Sequence, residues 1–308
     1  MLKLGVLDFG DFDNVFHFAH DKINELFEIV PLIEKLGFKR YWLGEHHSPF
    51  HAWGSPEILI PLMAGITDRI KIGSAGIQIM AHSPLRIAQT FKLIESIYPG
   101  RIDLGIAKGQ PQDIFLKALL DIETVDLVSK MEYDRKLNDL ICFLYEKFEE
   151  SNPLGEIKLH PIGATVPDVW LLGSSENSFI DAVKYDTNFC LSLFHGRPAN
   201  DPNILRKFSD YSNRVNNKNT NFTLCVSGLC TENNKQTKKV RKDPRFNNAI
   251  LNVVGTQEEC KNQLYELQYR YKVDEIEFLD IGINFEERVN NYKLLAETFN
   301  LSSSIKGN

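Results

Sequence analysis

A carboxylate and two imidazoles follow a short apolar run near the N-terminus, in the segment Tyr41-Trp42-Leu43-Gly44-Glu45-His46-His47. This pattern is typical of a buried parallel strand whose carboxyl end opens into a ligand site. Because adjacent residues of a strand point to opposite faces, the two histidines are not expected to bind one metal ion together. His46 is in step with Gly44 along the strand, so we predict that it donates or accepts a proton in the site. His47 is expected to have a structural partner such as Glu45, or to be exposed to solvent.

Two other segments have the residue types of a phosphate site. Lys108 and Gly109 follow a predicted strand, where a cation and a closely approaching backbone could meet a phosphate; an exposed lysine without a ligand fits equally well. Gly173–Ser178 joins the next predicted strand to a helix, and it offers backbone N–H groups together with three hydroxyls. Ordinary N-capping by Ser175 is the alternative. Because the two segments follow adjacent strands, they can converge on one phosphate, which favours the phosphate site.

A third segment, Gly73-Ser74-Ala75-Gly76, places four small residues inside a predicted strand. Small residues can simply fill the narrow part of a barrel, or they can let the backbone lie flat against a planar ligand. The spacing alone leaves both interpretations open.

The elements that would position these segments alternate regularly between strand and helix. Strands are predicted at residues 2–9, 41–45, 69–79, 101–107, 168–173, 189–193, 222–229 and 275–281. Helices are predicted between them, including one at 202–215 and one that begins with the capping box Thr256-Gln-Glu-Glu259. This pattern predicts an α/β fold with a single (β/α)8 TIM barrel over residues 1–300, insertions after strands 4 and 7, and a disordered tail at 301–308. A doubly wound open sheet is the alternative, but no GxGxxG follows the first strand.

Composition excludes several classes of protein. The 308 residues carry a formal net charge of -6, which disfavours nucleic acid as a partner because phosphate backbones require clustered Lys and Arg. No apolar run has transmembrane length and no signal peptide is evident, so no membrane association is expected. The five cysteines are scattered without a CxxC pair, which is typical of reduced thiols in a cytoplasmic protein rather than of disulfides or a metal site.

Taken together, five segments resemble the bacterial luciferase-like, flavin-dependent monooxygenases, and they occur in that family's order over nearly the whole chain. They are YWLGEHHSPF, KIGSAGIQIMAHSPLRIAQ, PGRIDLGIAKG, LGSSENSFIDA and LNVVGTQEEC. The resemblance implies that His46 is the catalytic histidine and that the Ala75–Gly76 peptide bond is cis and lies against a flavin ring. Lys108 takes the place of an arginine that grips the flavin phosphate; it keeps the charge but loses the bidentate fork, which implies weaker phosphate binding.

The same resemblance implies a phosphate-binding turn made of Ser174, Ser175 and Ser178, and places His195 in the substrate pocket. It implies a monooxygenase that uses reduced FMN and O2, through a C4a-peroxyflavin, to oxidise a small organic substrate without a metal. A separate flavin reductase would supply the reduced FMN, and two copies of the chain would form a homodimer through the helices after the first strands. The alternatives are a deazaflavin (F420)-dependent oxidoreductase, a flavin-binding subunit without turnover, and a sugar-phosphate barrel enzyme.

Overall fold

Eight parallel strands close into a barrel in the computed structural model, which describes residues 2–11, 19–109, 111–121, 130–196 and 221–301, together with Lys207 and Asp210. The barrel order is β1–β2–β3–β4–β5–β6–β7–β9, and β9 pairs with β1 to complete the ring. The strands are β1 Lys3–Asp8, β2 Arg40–Leu43, β3 Lys71–Gln78, β4 Ile102–Ala107, β5 Asp168–Gly173, β6 Asn188–Ser192, β7 Phe222–Thr231, β8 Val253–Thr256 and β9 Glu275–Asp280. The predicted TIM barrel is confirmed, and the closed ring excludes the open doubly wound sheet.

The short strand β8 was not predicted. It pairs with the carboxyl-terminal half of β7, where Gly228 lies opposite Val253, and it stands outside the closed ring. The ring strand that follows it in sequence is β9, which is the strand predicted at 275–281.

The helices that the structure describes follow the strands in sequence, as the alternating pattern predicts. They are α1 Ala19–Leu36, α2 Pro56–Gly65, α3 Pro84–Ile97, α4 Asp113–Leu120, α5 Lys130–Tyr145, α6 Glu176–Lys184, α7 Asn234–Arg241, α8 Gln257–Tyr271 and α9 Phe285–Thr298. The capping box at the start of α8 is confirmed: the backbone N–H of Thr256 donates to the Glu259 carboxylate at 2.8 Å. The segment after β4 contains α4 and α5, and the polar segment after β7 contains α7. Most of the predicted helix at 202–215, and residues 302–308 of the predicted tail, lie outside the described residues.

Charged groups fill the amino-terminal end of the barrel. Arg40 donates to Asp103 Oδ2 at 2.6 Å and to Glu275 Oε1 at 2.7 Å, and its guanidinium lies over the rings of Trp42 and Trp170. Both indole N–H groups also donate to Asp103. A second, apolar layer lies on this network and includes the two tryptophans; its other buried members are Leu7, Ala75, Cys190, Cys225 and Leu279. The barrel interior is therefore solid at its amino-terminal end, and space for a ligand is left at the carboxyl end of the strands.

None of the helices in the described part of the chain combines the length and apolar character that crossing a membrane requires.

Candidate active site

A cavity of about 370 Å³ opens at the carboxyl ends of the barrel strands. Its volume is within the range of small-molecule and cofactor sites. All eight residues selected from the sequence line this one cavity: His46, Ala75, Gly76, Lys108, Ser174, Ser175, Ser178 and His195. They come from five different strand ends, which the closed barrel brings together.

His46 lies just beyond β2, in a sandwich of aromatic rings. Its ring centroid is 4.4 Å from that of Phe9 on one side and 4.4 Å from that of His51, nearly parallel, on the other. Its backbone N–H donates to the Trp53 carbonyl oxygen at 3.0 Å, which fixes the loop after the strand. Burial, with a contribution from His51, lowers the pKa of His46 to about 4. The imidazole is therefore neutral at pH 7 and able to accept a proton.

Glu45 anchors the wall behind His46. Its carboxylate is buried and accepts hydrogen bonds from His47 Nε2 at 2.6 Å, His82 Nε2 at 2.8 Å and the Gln78 backbone N–H at 2.8 Å. Burial by itself would raise the pKa of Glu45, but these hydrogen bonds, above all the one from His82, lower it. Burial by itself would lower the pKa of His82, but the hydrogen bond to the Glu45 carboxylate and the charge of that carboxylate together have the larger effect and raise the pKa of His82. The expected structural role of His47 beside Glu45 is confirmed.

Polar side chains line another part of the cavity, at the amino-terminal end of α6 and beyond β4. Ser175 occupies the N-cap position of α6, yet its side chain makes no capping hydrogen bond, and its Oγ lies 3.3 Å from Ser178 Oγ. The capping alternative for Ser175 is therefore wrong. Lys108 Nζ lies 4.8 Å from the centroid of the Tyr133 ring, and among the described residues it has no ion-pair partner. A cation without an ion-pair partner among the described residues, hydroxyls and a helix N-terminus are groups from which proteins build anion sites.

The small residues of β3 are explained in part by packing. The Ala75–Gly76 peptide bond is cis, as expected, and the register of β3 against β4 shifts between Ser74 and Ile77. A Cβ on Gly76 would lie 2.9 Å from the Ala107 backbone nitrogen and 2.8 Å from a methyl group of Leu172. Close approach of β4 thus requires glycine at this position, and both residues of the cis peptide also line the cavity.

His195 follows β6 by three residues and lies at the same end of the cavity as His46. Its Nδ1 is 2.8 Å from the hydroxyl oxygen of Ser192, and its ring centroid is 4.4 Å from that of Phe194 and 6.2 Å from that of Phe9. Partial burial lowers the pKa of His195. Both imidazoles of the cavity are therefore uncharged at neutral pH.

Several lining residues were missed in the sequence: Phe9, Gln78, Ser192, Phe194 and Cys225. Phe9 ends the first predicted strand and Phe194 directly follows the sixth, so the rule that selected His46 could have found them. Cys225 lies in the middle of a buried strand, and no sequence signal sets it apart from the other core thiols.

Comparisons with known proteins agree with this architecture. A family model described as luciferase-like monooxygenase matches residues 2–125 of the chain. The chain is 29% identical over 306 aligned positions to uncharacterized protein YceB of Bacillus subtilis (strain 168), and the match covers 88% of this chain and 92% of that protein.

Two solved structures share the fold over nearly the full length. The crystal structure of apo-MsnO8 has a TM-score of 0.81 at 22% identity, covering 98% of this chain and 99% of that one. The oxygenating constituent of 3,6-diketocamphane monooxygenase from the CAM plasmid of Pseudomonas putida, a type II Baeyer-Villiger monooxygenase in complex with FMN, has a TM-score of 0.74 at 14% identity, covering 96% and 97%. At these identities the likeness is one of fold.

Proposed function

We propose that the chain is a luciferase-like, FMN-dependent monooxygenase that uses reduced FMN and O2 to oxidise a small organic substrate, a proposal that the family match over residues 2–125 supports. The observation that carries this proposal is the convergence of two different kinds of group on one cavity. Lys108 and the serine turn form an anion site, and the neutral imidazole of His46 lies in an aromatic pocket.

The anion site fits the phosphate of FMN. The ammonium group of Lys108, the N-terminus of α6 and the hydroxyls of the turn would bind it: Ser174, Ser175 and Ser178. The cis peptide Ala75–Gly76 would support the ring system. The side-chain oxygen of Gln78 is buried without a hydrogen-bond partner among the described residues, so it is available to accept from a ring N–H.

The other cavity residues have roles that follow from their surroundings. Reduced FMN would supply the electrons with which O2 is activated. His46 would take up and return a proton at its neutral ring, and the apolar side chains would keep bulk water from the reacting atoms: Leu7, Phe9, Leu172 and Phe194. A separate reductase would provide the reduced FMN.

Anaerobic mixing of the protein with reduced FMN, followed by exposure to O2 in a stopped-flow spectrometer, tests the proposal. We expect the bound flavin to be oxidised more slowly than free reduced FMN, with less hydrogen peroxide released when a substrate is present. Oxidation at the rate of free FMN would contradict an oxygenase. NADH or NADPH should not reduce FMN in the presence of this protein alone, and rapid reduction would contradict the separate reductase.

Replacing Lys108 with glutamine should weaken FMN binding by roughly 10- to 100-fold, because hydrogen bonds to charged groups contribute about 1.5–3 kcal/mol. Riboflavin, which lacks the phosphate, should bind the variant and the wild type equally well. Lys108→Arg should bind FMN at least as tightly as the wild type, since a guanidinium can hold a phosphate with two hydrogen bonds. Titration of flavin fluorescence measures each of these affinities.

An equal loss of riboflavin and FMN affinity in Lys108→Gln would place the lysine elsewhere than at the phosphate. Tighter binding of F420 than of FMN by the wild type would favour the deazaflavin-dependent alternative.

We also propose that two copies of the chain form a homodimer. An apolar stripe on two adjacent helices supports this proposal. α2 exposes Ile58 and Leu62, and the neighbouring α3 exposes Leu93 and Ile97, each between 47% and 63% accessible. Contiguous exposed apolar side chains on packed helices are typical of a protein–protein interface.

Replacing Leu62 or Leu93 with aspartate should weaken the dimer by about 30-fold or more, because central interface residues commonly contribute about 2 kcal/mol. Light scattering after size-exclusion chromatography measures the mass. Tyr269→Asp, at a side chain on α8 that is 87% exposed, is the control and should leave the mass unchanged. A wild-type protein that is monomeric at all concentrations would contradict the dimer.

A further inference from the structure

The cavity contains a second imidazole, His195, whose Nδ1 faces a hydroxyl, whereas Nδ1 of His46 lies 3.5 Å from the Gly44 carbonyl oxygen. A neutral imidazole has one N–H donor and one bare nitrogen acceptor, and the group bonded to one nitrogen decides which role the other plays. For His195 that group is Ser192, the last residue of β6, whose hydroxyl oxygen lies 2.8 Å from Nδ1.

Ser192 is 7% exposed, and within the described part of the chain Nδ1 of His195 is the one hydrogen-bond partner of its hydroxyl. If Nδ1 carried the proton and donated it to the hydroxyl oxygen, the hydroxyl proton would find no acceptor among the described residues. An unmade buried hydrogen bond is costly enough to disfavour that arrangement by about tenfold or more. The hydroxyl therefore donates to Nδ1, and the ring proton is on Nε2.

The charges around the cavity limit what the ring can meet. Among the cavity-lining residues that the structure describes, the charged ones are Glu45 and Lys108. The Glu45 oxygens already accept three hydrogen bonds, and Lys108 belongs to the anion site. A charged substrate beside the two histidines would thus find no free charged partner among the described residues, and burying an unpaired charge is unfavourable.

We propose that Ser192 holds His195 as the Nε2–H tautomer, and that this ring donates a hydrogen bond to an acceptor oxygen of a neutral, largely apolar substrate lying against Phe9 and Phe194. The substrate contact of His195 rests on the proposed function, because the monooxygenase reaction defines what the substrate is. Ser192 acts as a positioning residue, and His195 determines which substrates are accepted. Since a site built around a fixed donor rejects ligands that cannot accept, selectivity is expected from this one contact.

Nitrogen NMR of the histidine-labelled, flavin-free protein tests the tautomer without any need for turnover. His195→Gln identifies the His195 signals. In the wild type and in Ser192→Thr, which keeps the hydroxyl, Nε2 should be protonated and Nδ1 bare. In Ser192→Ala the Nδ1 signal should move towards the protonated form as the two tautomers mix. A protonated Nδ1 in the wild type, or an unchanged tautomer in Ser192→Ala, would overturn the proposal.

Binding of two probes of matched chain length tests the substrate class in the FMN-saturated protein. Methyl hexyl ketone is neutral and has a carbonyl acceptor, whereas octanesulfonate is an anion. The ketone should bind at least about tenfold more tightly than the sulfonate, lose several-fold in affinity in Ser192→Ala, and regain it in Ser192→Thr. Equal or tighter binding of the sulfonate would overturn the substrate class. Failure of the proposed function would be seen separately, as absence of FMN binding while the tautomer result stands.

Discussion

Replacing His46 with alanine should lower the rate of product formation by roughly 100- to 10,000-fold, the range that general acid–base groups contribute. The imidazole is held between the rings of Phe9 and His51 and is neutral at pH 7 because its pKa is lowered to about 4. Its loss removes the proton acceptor without touching the anion site, whose residues belong to β4 and α6 and to the turns beside them. FMN affinity should therefore change by no more than about twofold, as measured by fluorescence titration.

The neighbouring histidine provides the matched control. His47 donates to Glu45 at 2.6 Å and does not line the cavity, so His47→Gln, which retains an N–H donor, should lose less than about tenfold in rate. Product formation by the two variants is compared at saturating reduced FMN. If His46→Ala turned over within tenfold of the wild type, another group would have to carry the proton.

The convergence of the site residues could be predicted because it depends only on topology. His46, Lys108 and the serine turn each follow a strand directly, and a closed parallel barrel brings all such ends to one face. All eight selected residues line the one cavity, although Ala75 and Gly76 reach it from inside β3 rather than from its end. The same rule, applied to every strand end, would also have selected Phe9 and Phe194.

Contacts between distant parts of the chain could not be predicted in the same way. The hydrogen bond from His82 to Glu45 joins residues 37 positions apart, and in the sequence His82 only precedes Ser83 and Pro84, a typical helix start. Arg40 contacts residues 63 and 235 positions away, and an arginine at the start of a strand is typical of an exposed position. The four-residue strand β8 has no periodicity from which it could be recognised. Periodicity indicates which face of an element is buried, but it does not identify the partner.

Arg40 is the position where loss of such a contact should cost most in stability. Its side chain is 8% exposed, and its ion-pair partners Asp103 and Glu277 are completely buried. Arg40→Met keeps much of the side-chain length but removes the charge, and it should lower the free energy of unfolding by roughly 3–5 kcal/mol because buried carboxyl groups are left without their cation. Urea unfolding, followed by circular dichroism, measures the change in midpoint.

Arg135→Met is the matched control, because Arg135 also forms two ion pairs but lies at the surface. It bonds to Glu132 at 2.5 Å and Asp139 at 2.8 Å, but its side chain is 55% exposed, so Arg135→Met should cost less than about 1 kcal/mol.

The pH dependence of the stability of Arg40→Met gives a second test. Burial raises the pKa of Asp103 and of Glu277 even with Arg40 present, and removing the cation should raise both further. A carboxyl group with a raised folded-state pKa loses stabilisation as the pH rises, so the deficit of Arg40→Met should be larger at about pH 8 than at about pH 5.5. A deficit that is small and independent of pH would mean that the barrel interior replaces the guanidinium by repacking or by admitting water.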